Sequence, residues 1–171
     1  LWSFSSSDLG LSTSYPTIVL TSPANDAKAD HTNAKWYVVF GSGPTGYDAA
    51  VKTGGTNGQG AKLFAVDLIT GPGANNSLVK SLPVGSWTSF MADLITIDKD
   101  LDFRSDSVYA GRTIDPNGSN GRGSGIPWTG KMYRLTMGSC GGAVTCSTST
   151  WGVQNGSDRV PTEILDTFPP S

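Results

Sequence analysis

Short apolar runs along this chain are punctuated by Gly, Ser, Thr, Asn and Asp, the pattern of strands joined by turns. Nowhere do Ala, Leu, Glu and Lys gather at the 3.6-residue spacing of a helix. The pattern predicts strands at residues 17–21, 36–40, 62–67, 78–82, 90–97, 107–111, 131–136 and 150–154. Residues 36–40, Trp-Tyr-Val-Val-Phe, are aromatic or β-branched throughout, which predicts a strand buried on both faces. The glycine-rich stretches 41–60, 71–77 and 115–130 read as surface loops.

The strands repeat in two halves. In the first, residues 16–20 are followed by an aromatic run ending at Gly41 and then by Lys62-Leu63-Phe64-Ala65-Val66. In the second, residues 93–98 are followed by a run ending at Gly111 and then by Lys131-Met132-Tyr133-Arg134-Leu135. A unit of three or four short strands that recurs is the mark of propeller blades. The prediction is an all-β fold: one propeller-like segment over residues 1–171, with blades at about 8–90 and 91–160. Closed propellers need about 4–8 blades. Two blades alone would leave unpaired edges, so the pattern predicts part of a larger propeller, or a chain completed by another subunit.

Charge excludes one class of partner. A net charge of -2 and scattered basic residues give no footprint for nucleic acid. No apolar run approaches the roughly 20 residues of a membrane-spanning helix, and residues 1–20 lack the charged start of a signal peptide. The expectation is a chain whose signal has been removed or one that begins inside a longer protein. Cys140 and Cys146 are separated by Gly-Gly-Ala-Val-Thr, which suits a small disulfide loop and an oxidising compartment. Metal binding is the rival reading, but two Cys and the single His31 make a poor zinc set.

The most specific chemistry lies in Asp98-Lys99-Asp100-Leu101-Asp102-Phe103-Arg104-Ser105-Asp106. Calcium takes 6–8 oxygen ligands, and calcium loops draw them from positions 1, 3, 5, 7 and 9. Here those are the carboxylates of Asp98, Asp100, Asp102 and Asp106 and the carbonyl of Arg104. Four carboxylates within nine residues repel one another unless a cation neutralises them. The loop departs from the usual pattern twice: Phe103 stands where glycine makes the turn, and Tyr109 where a bidentate Glu closes the site. Its flanks are strands, not helices. The plain alternative is a solvated acidic turn.

Taken in order, several segments resemble the C-terminal propeller domain of PilY-type type IV pilus biogenesis factors and tip adhesins. Residues 8–19 (DLGLSTSYPTIV) resemble the stretch that opens a blade there, and residues 36–43 (WYVVFGSG) resemble a second segment, with Ser42 where the family has Asn. Residues 63–71 (LFAVDLITG) match a third; the aspartate loop running into Val108-Tyr109-Ala110-Gly111 matches the family's calcium loop and the strand after it. Residues 131–135 take the place of a further family strand, after an insertion at 112–130 that begins with Arg112 where the family has Asp.

The resemblance implies a non-enzymatic, calcium-binding protein exported through the periplasm to the bacterial surface. Its partners would be pilin or minor pilin subunits at the pilus tip and a host or abiotic surface. The family's ligands fall on Asp98, Asp100, Asp102, Arg104 and Asp106 of this chain.

Two other readings were weighed. Residues 65–71 (AVDLITG) also fit the blade repeat of quinoprotein dehydrogenases, in which the Asp and Thr-Gly form a turn; the match speaks to architecture more than to catalysis with a quinone. A carbohydrate- or partner-binding module is the other, with Trp128 its best exposed contact. There is no Gly-x-Ser-x-Gly elbow, and His31 reads as a solvated loop residue rather than a general base.

Overall fold

The computed structural model describes residues 1–22, 34–44, 60–114, 128–137 and 148–166. Cys140 and Cys146, His31 and most of the two longest glycine-rich stretches lie outside the described residues. The strands are β1 (Thr17–Thr21), β2 (Lys35–Gly41), β3 (Gly60–Asp67), β4 (Lys80–Ile97), β5 (Ser107–Ile114), β6 (Thr129–Thr136), β7 (Val153–Asn155), β8 (Asp158–Val160) and β9 (Thr162–Asp166). Two short 3₁₀ turns, Ala74–Asn76 and Thr148–Thr150, are the only helical elements among the described residues. None of the described helices is long and apolar enough to cross a membrane.

The fold is all-β and antiparallel, with no sheet closed into a barrel and an architecture consistent with a partial propeller. Seven strands run in the order β1-β2-β3-β4-β5-β6-β9, and β7-β8 form a separate hairpin. The long strand β4 belongs to two ladders. Its first half, from Lys80 to Thr88, pairs with β3, and its second half, from Ser89 to Ile97, pairs with β5. Each half of the sheet is therefore a four-stranded meander: β1-β2-β3-β4 and β4-β5-β6-β9.

Residues 78–82 and 90–97, expected as two strands, fall largely within this single one. Pro83 and Gly85 read as punctuation in the sequence, because proline cannot donate to a ladder and glycine weakens a strand. The structure tolerates Pro83 because it lies opposite Lys62, beside the register shift between Gly60 and Lys62.

Alternation along the strands decides what is buried. On β2, Tyr37 and Val39 face the main core, where Ala61, Leu63 and Ala65 of β3, Leu82 and Met91 of β4, Val108 and Ala110 of β5 and Leu135 of β6 join them. Strands of both meanders thus contribute to one apolar layer. On the opposite face, Val38, Phe40, Phe64 and Val66 are covered by Trp2, Phe4 and Leu9 of the N-terminal segment. Phe4 packs on Phe40 and Phe64 with ring centroids 5.3 and 5.2 Å away. β2 is buried on both faces from Tyr37 onward, while Trp36 is 43% exposed at its start.

Residues 150–154 are part turn and part β7. Between them Trp151 is buried in the main core, its ring edge-on to Tyr37 at 5.1 Å. Arg159 of β8 holds that turn in place: its guanidinium donates to the carbonyls of Thr150, Trp151 and Gly152 at 2.8, 3.0 and 2.7 Å.

Candidate functional site

The aspartate loop joins β4 to β5 and is fixed at its base by backbone bonds. Asp106 N–H donates to the Ile97 carbonyl at 2.9 Å, closing the loop, and Met137 N–H donates to the Asp106 carbonyl at 2.9 Å. Ser105 N–H donates to the Leu20 carbonyl at 2.8 Å, tying the loop to β1. The loop therefore rests on elements of both meanders.

Its carboxylates are shaped by the loop's own N–H groups. Asp98 accepts from Asp102 N–H at 3.2 Å and from Phe103 N–H at 2.8 Å. Asp106 accepts from Lys99 N–H at 2.7 Å. The result brings oxygens of Asp98, Asp100 and Asp106 within 4.8 Å of one another. At 4.8 Å, two unit charges repel by about 1 kcal/mol in water-like surroundings and by about 3 kcal/mol at a typical protein surface. A divalent cation would turn that repulsion into attraction, and a set of hard carboxylate oxygens suits calcium.

Asp102 takes another place. Its Oδ1 accepts from Arg104 N–H at 2.9 Å and its Oδ2 pairs with Arg104 Nη1 at 2.8 Å. Of the five residues expected as ligands, the structure thus groups Asp98, Asp100 and Asp106, and pairs Asp102 with Arg104. The missing glycine is also accounted for. Phe103 itself adopts φ 65° and Leu101 φ 58°, the left-handed backbone that glycine takes freely. Both side chains are exposed, Leu101 at 76% and Phe103 at 67%.

The Asp67-Leu68-Ile69-Thr70-Gly71 segment is a turn held by the Asp67 carboxylate, which accepts from Ile69 and Thr70 N–H at 2.9 Å each. Burial raises the Asp67 pKa, but the hydrogen bonds from Thr70 and Ile69 and the charge of Lys35 outweigh it, and the net direction is downward. This carboxylate is spent on its own turn. Trp128, 48% exposed, stands just before β6 with its ring 6.2 Å from Phe90.

Two features escaped the sequence reading. The Ser105 clamp on Leu20 joins residues 85 apart and leaves no local pattern. Arg112 was legible: β5 continues to Ile114, and alternation from Val108 through Ala110 puts position 112 on the inward face. Arg112 is buried, at 5% exposure. No family model, curated protein or solved structure matches this chain.

Proposed function

We propose that this chain is a non-enzymatic calcium-binding module of a type IV pilus tip protein, working at the bacterial surface with pilin or minor pilin subunits. The reading is carried by the convergence of the Asp98, Asp100 and Asp106 oxygens within 4.8 Å at a loop anchored to β1, β4 and the end of β6. The pilus assignment rests on the resemblance of the ordered segments at residues 8–19, 36–43, 63–71, 98–111 and 131–135.

A cation here has a mechanical consequence. Asp98 and Asp106 stand at the two ends of the loop, and Ser105 joins it to β1. Holding the carboxylates together would fasten the end of β4 to the start of β5 and, through Ser105, to the first meander. Calcium would act as a structural clasp and not as a reagent. Asp102 would join the ligand set only by leaving Arg104.

Calorimetric titration with calcium and, separately, magnesium tests the reading. Saturable binding of one calcium per chain, lost in Asp100→Ala and Asp106→Ala, is the expected result. Absence of binding at millimolar calcium would reduce the loop to a solvated acidic turn. The pilus role is tested apart from it, by pull-down of pilin subunits with the calcium-loaded protein.

A further inference from the structure

Arg112 carries its charge into the interior with an incomplete set of partners. A guanidinium offers five N–H donors, and a buried charge is costly unless it is paired. Nε donates to Ser89 Oγ at 2.9 Å and Nη1 to Tyr133 Oη at 3.2 Å. Nη2 is buried and has no hydrogen-bond partner. Neither neighbour is well placed to serve it. Ser89 Oγ already accepts a second bond, from Ala61 N–H at 3.2 Å. Tyr133 Oη donates onward to Glu163 at 3.3 Å, and that carboxylate accepts two bonds at 3.0 Å from Lys131.

The surroundings are built around the guanidinium. Gly85 lies against it so closely that a Cβ there would stand 2.2 Å from Nη1 and 2.6 Å from Nη2. No carboxylate among the described residues forms an ion pair with Arg112. A buried polar atom without a partner calls for a bound water or ion. Water would satisfy the N–H groups but leave the charge unpaired. An anion would do both, and the near-complete enclosure of Nη2 favours a monatomic one over a phosphate or a carboxylate ligand.

We infer that Arg112 Nη2, beside Ser89, Tyr133 and Gly85, binds a single halide ion, chloride under physiological conditions. The site is separate from the aspartate loop and holds whether or not that loop binds calcium.

Crystals of the full chain grown with sodium bromide in place of chloride, measured at the bromine absorption edge, test it directly. An anomalous peak within about 3.5 Å of Arg112 Nη2, in keeping with the reach of a charge-assisted N–H contact, is expected. An ordered water there, or bromide at the crystal surface only, overturns the inference. In solution, chloride should raise Tm by about 3–5 °C per tenfold increase above its Kd, relative to sodium gluconate of equal ionic strength. Arg112→Met should abolish the difference between the two salts. Should that variant fail to fold, the bromide peak in the unaltered protein decides alone.

Discussion

Ser105 grips Leu20 twice: its N–H donates to the Leu20 carbonyl at 2.8 Å, and its Oγ accepts from Leu20 N–H at 3.0 Å. The contact extends the free edge of β1 by one residue of the aspartate loop. Ser105→Ala keeps the backbone bond and removes the other, at a cost of about 1 kcal/mol. That corresponds to a fall in Tm of about 2–4 °C for a chain of this size. Amide exchange at Leu20 should quicken in the variant. Unchanged exchange there would show that the hydroxyl adds nothing to the clamp.

Phe103 occupies the left-handed region at φ 65° with an exposed ring. A residue bearing a Cβ loses roughly 1–2 kcal/mol there relative to its preferred conformations, while glycine adopts it freely but loses more entropy on folding. Phe103→Gly should therefore leave stability unchanged or raise it by up to about 1 kcal/mol. Phe103→Ala, which keeps the strain, should give no gain. Denaturant unfolding of the two variants side by side separates relief of strain from loss of the apolar ring. A glycine variant less stable than the alanine variant contradicts the argument.

Strand positions were readable where alternation is strong, as in Tyr37, Val39, Phe40, Leu63 and Val66, because these side chains have only one way to leave water. β4 was harder. Its middle carries Pro83 and Gly85, residues that end most strands, and its continuity depends on a register shift against β3 that no local pattern announces. β8 and β9 were missed because they are short and polar, although Asn155-Gly156 between β7 and β8 is a recognised hairpin signal. Trp151 was assigned to a loop or strand end, yet it is among the most buried side chains, since a turn held by Arg159 carries it inward. In the aspartate loop, the spacing located the acidic cluster. It could not show that Asp102 turns to Arg104, a choice settled by two hydrogen bonds within three residues.

Asp67 and Tyr37 set opposite ends of the pH range. Asp67 titrates below its ordinary value of 3.8 in the fold, so its contribution to stability is present above that value and is lost as pH falls through the folded pKa. Tyr37 is shifted above 10.0, by burial first and by the charge of Asp67 second. Its contribution is complete below pH 10.0 and is lost as pH rises through the folded pKa. Asp67→Asn should flatten the acid limb of a stability–pH curve below pH 3.8. Tyr37→Phe should flatten the alkaline limb above pH 10.0. Curves parallel to that of the unaltered protein in these windows would remove both groups from the account.

The aspartate loop distinguishes its members. Asp98, Asp100 and Asp106 already converge, whereas Asp102 holds Arg104 by an ion pair of 2.8 Å. A ligand bound only by the folded state at 100 times its Kd adds about 2.7 kcal/mol of stability, or about 5–10 °C in Tm here. Calcium should produce such a rise in the unaltered protein and none in Asp100→Ala or Asp106→Ala. Asp102→Ala should lower stability without calcium, because Arg104 loses its partner, yet keep most of the calcium-dependent rise. If Asp102→Ala instead abolishes that rise as fully as Asp100→Ala, Asp102 is a ligand and the Arg104 pair must break when the ion binds. If none of the variants differs from the parent in calcium or in chelator, the oxygens gathered at this turn hold no ion.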